Sequence, residues 1–216
     1  MNRKERVSVT FISADLSVSE IGHSDWKIGR PVTVSQYWSG DTAPAGRHFE
    51  ARMLWSDEHL YIRFDATQAE PLMMSDRPNL ASKALGLWDR DVVEVFIAPD
   101  ADEPRKYFEF EAAPSGEWVD LAIDLTSGKR ETDVEYSSGM QVAARIEDDR
   151  IVTAIRIPWS SLGKRPEAGD VWLGNLFRCV GRDPDRGYLA WSPTFTERPN
   201  FHVPEHFGEF EFVRDA

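Results

Sequence analysis

Several groups of side chains in this sequence have the types and spacing to do chemistry. In Leu87-Trp88-Asp89-Arg90-Asp91-Val92-Val93-Glu94-Val95-Phe96, strand alternation puts Glu94 on the face of Val92 and Phe96. A carboxylate among such neighbours is costly unless it is paired. Glu94 therefore either meets a cation, with Arg63 and Arg178 as candidates, or lines a groove where hydroxyl groups donate to it. Tyr107, Glu109 and Glu111 share one face of the following strand, with Phe108, Phe110 and Ala112 on the other. Two carboxylates projecting together read as a solvated surface or a hydroxyl-binding rim. Hydrolysis of a glycosidic bond would need one protonated and one ionised carboxyl, ~5 to 9.5 Å apart, and the sequence shows no such asymmetry.

Eight tryptophans occur in 216 residues, and an indole combines flat apolar area with an N–H that needs an acceptor. Trp55, Trp118, Trp159, Trp172 and Trp191 fall in or beside strand-like runs and read as packing residues. Trp88 differs, because it precedes the charged Asp89-Arg90-Asp91 at the mouth of a strand. There a half-exposed ring either stacks on a pyranose face or anchors its own loop. The loop Arg198-Pro199-Asn200-Phe201-His202-Val203-Pro204-Glu205-His206-Phe207-Gly208 gathers a cation, an amide, an aromatic ring and two histidines. It offers hydrogen bonds on both sides of a ring, or else closes the last strand with Phe201 and Phe207 as plugs. His202 and His206 have the spacing of a helical metal pair, but Pro204 between them breaks a helix.

Asp89, Asp91, Asp100, Asp102, Asp183 and Asp185 could ligate a structural calcium, yet they build no Asp-x-Asp-x-Asp-Gly loop with a closing Glu. No cofactor is required by any motif, and the P-loop, Rossmann and Gly-x-Ser-x-Gly signatures are absent. Cys179 is the sole cysteine, so no intrachain disulfide or thiolate zinc site can form; in Asn175-Leu176-Phe177-Arg178-Cys179-Val180 it reads as a small packing group.

A net charge of -12 sets up a field that repels phosphate backbones and anionic membrane surfaces, which excludes nucleic acid as an expected partner. No run of ~18 apolar residues occurs, so no membrane helix is expected. The basic start MNRKERVSVTF lacks the apolar stretch of a secretory signal. The sequence as given therefore reads as cytoplasmic, or as extracytoplasmic if a leader has been removed.

These residues must be positioned by strands. Short runs rich in Tyr, Phe, Trp, Val and Ile alternate with period two between Gly, Pro, Asp and Asn clusters. The clearest are 49–55, 59–66, 91–98, 107–113, 117–123, 140–146, 151–157, 171–180 and 209–213. Ser56-Asp57-Glu58 and Glu147-Asp148-Asp149-Arg150 are links of hairpin length. Residues 71–87 and 181–207 resist a strand reading and predict long loops, where binding groups usually sit. With no repeat, linker or low-complexity tract, the expectation is one domain over 1–216, an all-β antiparallel sandwich of jelly-roll type with about ten strands.

From about Glu50 to Val213 the chain resembles the family 9 carbohydrate-binding modules and the broader DOMON-like sandwiches. The likeness rests on LYIRFDAT, LWDRDVVEVFIAPD, YFEFEAAPSGEWVDL, IRIPWSSL and AWSPTFTERPNFHVPEHFGEFEF. It implies a non-catalytic sandwich whose cleft clamps a sugar, such as a glucan or xylan chain end, between two aromatic rings. Trp88 corresponds to the first ring and Glu94 to the family's strand glutamate. Phe201 falls where the second ring is a Trp, with Arg198 and Asn200 near the family's Asn. Glu109 and Glu111 stand about where the family has Arg and Asn. The residues and the resemblance together give Trp88, Glu94, Tyr107, Glu109, Glu111, Arg198, Asn200, Phe201 and His202 as the expected ligand contacts, with a polysaccharide-degrading enzyme as a possible partner. Two further readings remain open: a haem-binding sandwich with Met73, Met74, His202 and His206 as axial candidates, and a glycosidase acting through Glu109.

Overall fold

The computed structural model describes residues 4–214. Residues 1–3 of the basic start and residues 215–216, both within the stretch read above as one domain, lie outside the described residues. The protein is all-β, as the period-two runs predict. Among the described residues its thirteen strands are β1 Arg6–Phe11, β2 Val32–Val34, β3 Phe49–Trp55, β4 His59–Thr67, β5 Val92–Ala98, β6 Lys106–Ala112 and β7 Trp118–Asp124, followed by β8 Glu131–Asp133, β9 Gln141–Ile146, β10 Arg150–Pro158, β11 Val171–Val180, β12 Gly187–Ala190 and β13 Gly208–Val213. They hydrogen-bond in the order β8-β7-β6-β5-β11-β13-β1-β3-β4-β10-β9, with β12 beside β11 and β2 beside β3. This sheet curls on itself as a sandwich.

Two details depart from the expected antiparallel ten. β1 runs parallel to both neighbours, with Val9 opposite Phe212 and Thr10 opposite Leu54, so the sheet is mixed. The additional strands are β1, which alternates as Val7-Ser8-Val9-Thr10-Phe11, and the short β2, β8 and β12, of which β8 is Glu-Thr-Asp, wholly exposed and without apolar signal.

Alternation sorts β5 between two cores. Val93, Val95 and Ile97 enter the main core with Phe49, Phe64, Trp172 and Phe210. Val92, Phe96 and Ala98 enter a second cluster with Tyr107, Phe177, Phe201 and Phe207. Trp55, Trp159, Trp172 and Trp191 are buried in the main core, and Trp118 packs against it. A third cluster lies where residues 12–28 cross the sandwich, setting Leu16, Ile21 and Trp26 on Tyr61, Val152 and Ala154. Among the described residues no helix is long and apolar enough to cross a membrane.

The long segments are tied down by specific bonds. Lys83 reaches the Asp120 carboxylate at 2.8 Å and the backbone carbonyls of Asp120 and Val134 at 2.9 and 3.1 Å, which fixes the approach to Trp88. Asp91 accepts the Gly181 N–H at 2.8 Å and the Met73 N–H at 3.2 Å, so this carboxylate joins loops. The arginines proposed for Glu94 go elsewhere. Arg178 is buried and donates to the carbonyls of Arg47 and Thr67, each at 2.7 Å, while Arg63 pairs with Asp65 at 3.2 Å. Arg178 shares the β11 strand with Cys179, and period-two alternation points it away from the Glu94 face.

Candidate functional site

The second core opens into a cleft of about 290 Å³. One wall is a short turn, Leu87–Asp89, whose left-handed cap at φ 80° is supplied by Gly86. Leu87 is buried and plugs the turn into the second core, leaving Trp88 41% exposed at the cleft. Arg186 holds this turn by donating to the carbonyls of Trp88 at 2.8 Å and Arg90 at 2.6 Å, with its guanidinium 5.6 Å from the Tyr188 ring. Tyr188, on β12, also lines the cleft.

The opposite wall is the loop carrying Asn200, Phe201 and His202. Phe201 is only 8% exposed, because its ring stacks on Phe177 with centroids 4.0 Å apart and an interplanar angle of 11°. It both plugs the second core and borders the cleft, combining the two roles that the sequence left open. The Asn200 side-chain oxygen accepts the His202 N–H at 3.1 Å, leaving its amide N–H groups for other partners. Arg198 is exposed and lies outside the cleft lining.

The floor is formed by β5 and β6. Glu94 faces Glu111 directly across the antiparallel pair, and Glu109 lies two residues along the same face of β6. This face is not the solvated surface that alternation alone allowed. Glu94, Glu109 and Glu111 are 2%, 4% and 0% exposed. The reason is tertiary: β6 lies between β5 and β7, and the loop after residue 198 folds Phe201 and Phe207 over the second core. Glu94 and Glu109 reach the cleft, and Glu111 sits beneath it.

Burial, then the neighbouring Glu109, pushes the Glu94 carboxyl up to about 8. Burial also raises Glu109, and it raises Glu111 well above the usual carboxylate range, with Glu94 and Glu109 adding to the effect. All three shift the same way, so the opposed acid and base of a two-carboxylate hydrolase are not set apart.

Tyr107 is buried outside the cleft and shares a 2.7 Å hydrogen bond with His202 Nδ1. Burial holds His202 down to about 3, so the ring is neutral near pH 7, with Nε2 3.9 Å from Glu109 Oε2. Tyr107 is thus a positioning residue for His202. Tyr107→Phe leaves His202 Nδ1 without this partner, and thermal unfolding is expected to begin roughly 2–4 °C lower, the equivalent of about 1 kcal/mol. An unchanged melting temperature would remove the bond's structural role.

The sequence reading missed Asp89, Leu121, Arg130, Thr132, Cys179 and Tyr188 as lining residues. It also missed Arg186, which carries no local pattern because all its partners are distant in sequence. Of the haem candidates, the Met73 sulfur accepts from Arg186 at 3.8 Å and His202 is held by Tyr107.

The family model described as carbohydrate family 9 binding domain-like matches residues 21–214. A curated relative from Arthroderma benhamiae, named as an extracellular protein, is 22% identical over 176 residues, covering 75% of this chain and 77% of its own length. A Bacteroides uniformis protein assigned as carbohydrate-binding superposes with a TM-score of 0.75 at 18% identity, covering 97% of this chain and 99% of that one. A family 9 carbohydrate-binding module from Caldicellulosiruptor kristjanssonii, solved with cellotriose, gives 0.69 at 14% identity over 98% and 95% of the two chains. A structure of a family 9 module from the same organism, with glucose, gives 0.66 at 15% identity over 98% and 97%. At these identities the structural likeness establishes the fold, and the residues matched to the family include those that line the cleft.

Proposed function

Because this chain belongs to the carbohydrate family 9 binding domain-like family, we propose that it binds a glucose-containing oligosaccharide in the cleft between Trp88 and Phe201 and performs no chemistry on it. The observation that carries this reading is a half-exposed indole facing a cleft whose remaining surface combines aromatic rings with buried carboxyl groups. A pyranose has apolar C–H faces and equatorial hydroxyls, so it matches a flat ring on one side and fixed acceptors on the other. Trp88 supplies the flat ring, Phe201 and Tyr188 supply apolar edges, and Glu94, Glu109, Asn200 and His202 supply hydrogen-bonding groups. Tyr107 acts through His202. The ligands of the Caldicellulosiruptor modules, cellotriose and glucose, support the choice of sugar.

The same reading places the protein with a polysaccharide-degrading enzyme. The Arthroderma relative's name supports an extracellular setting. Calorimetry against cello-, xylo- and manno-oligosaccharides tests it. Saturable binding of one cello-oligosaccharide per chain is expected, and no heat from any sugar with folded protein would refute it.

A further inference from the structure

The three carboxylates beneath the cleft present a problem that sugar binding does not solve. Both oxygens of Glu111, and Oε2 of Glu109, are buried with no hydrogen-bond partner. Glu94 has a single contact, from the weak Cys179 S–H donor at 3.4 Å. Among the described residues no Lys or Arg forms an ion pair with any of the three; His202 lies 3.9 Å from Glu109, and Arg130 and Arg186 act on the carboxyls only at longer range. A fully buried carboxylate with no partner costs several kcal/mol, so the folded protein needs positive charge or protons here.

Geometry favours a metal ion. One oxygen from each of Glu94, Glu109 and Glu111 lies within 4.8 Å of the others. Oxygens bound to calcium at about 2.3–2.6 Å can be no farther apart than about 5 Å, the diameter of that shell. The strand register that pairs Glu94 with Glu111 creates this convergence, so no loop has to move to form it. The second sign is Glu111: it is 0% exposed, aimed among the other two, and its only hydrogen-bonding neighbour is the Glu109 carboxyl, with no N–H or hydroxyl donor on either oxygen.

We propose that Glu94, Glu109 and Glu111 form a binding site for a hard divalent cation, calcium, at the floor of the cleft. All three donors are carboxylate oxygens, which suit calcium, magnesium or manganese and not zinc or copper. Carboxylates bind calcium through one or both oxygens in irregular shells, whereas magnesium keeps a strict octahedron and several waters. A floor bordered by the apolar Phe96 and Leu121 offers few hydrogen-bond partners to such a water shell. Glu94 and Glu109 reach the open cleft, so the ion's remaining positions face whatever fills it. The site exists whether or not a sugar occupies the space above.

Terbium, a luminescent stand-in for calcium, tests this directly, because Trp88 in the same cleft can sensitise its emission. Protein stripped with a chelator and dialysed at pH 7.5 is expected to bind one terbium, with calcium displacing it. Glu111→Gln is expected to weaken both ions at least tenfold while the circular dichroism spectrum is unchanged. Calcium is expected to raise the melting temperature of wild type and not of the variant. Glu94→Gln gives a second reading if Glu111→Gln folds poorly. Folded wild type that binds neither terbium nor calcium would overturn the proposal, as would affinity unchanged in both variants. Sugar titration in chelator separates this result from failure of the cleft as a sugar site.

Discussion

Trp88→Ala is expected to remove most of the sugar affinity while leaving the fold intact. Contact of one pyranose face with an indole removes on the order of 100 Å² of apolar surface from water, worth about 2.5 kcal/mol at ~25 cal/mol per Å². That loss corresponds to a dissociation constant raised roughly fiftyfold or more. The stability cost is small because Trp88 is 41% exposed, and Arg186 holds the turn through backbone carbonyls that the substitution keeps. Trp88→Phe should recover part of the affinity, since a phenyl ring retains a flat face of smaller area. Calorimetry on the three proteins with the same cello-oligosaccharide decides this. Equal affinities for wild type and Trp88→Ala would remove the indole from the site.

The second large effect concerns stability and pH. In chelator, the protein is expected to become less stable as pH rises from about 5 to about 8. The Glu94 carboxyl titrates near 8 in the folded protein, above its ordinary 4.5, and Glu109 and Glu111 are raised as well. Between the two values the folded state holds protons that the unfolded chain releases. Stability is therefore full below the unfolded pKa and is lost as pH climbs through the folded one. One such group removes up to about 1.4 kcal/mol per pH unit inside this window, and the whole interval should lower the melting temperature by roughly 10 °C. The groups facing the three carboxyls are Cys179, itself raised by burial, neutral His202, and the charged Asp89, Arg130 and Arg186. His202, held down to about 3, works the opposite way below its ordinary 6.5, so the net loss is expected to be steepest between about pH 6.5 and 8. Glu111→Gln should flatten the curve and melt higher than wild type at pH 8, because its amide can donate to the remaining carboxylates. A melting temperature that is flat or rises between about pH 6.5 and 8 would contradict the burial of an unpaired cluster.

Much of this arrangement is written locally in the chain, and the rest depends on what folds over what. Strand alternation correctly puts Glu94 with Val92 and Phe96, and Tyr107 with Glu109 and Glu111, because period two is a property of the backbone. Alternation cannot say whether a polar face meets water. Burial of Glu109 and Glu111 is decided by a loop nearly a hundred residues later, which brings Phe201 and Phe207. The missing partner of Glu94 has the same origin. Arg178 looked available by type, yet its donors are taken by carbonyls at 47 and 67, on segments that no local pattern links to β11. Trp88 could be singled out because charged neighbours keep its turn at the surface. Tyr188 and Arg186 were hidden in a stretch whose prolines and short strand give no periodic signal. β1 does alternate, as Val7-Ser8-Val9-Thr10-Phe11, but its place between β13 and β3 depends on parallel partners from distant parts of the chain.

A crystal of this protein soaked with cellotriose puts the sugar-binding cleft to the most direct test. A pyranose ring stacked on the Trp88 indole, with hydroxyls directed toward Glu94, Glu109 and Asn200, is the predicted result. Sugar density elsewhere on the molecule, with the cleft beside Trp88 holding only water, would contradict it.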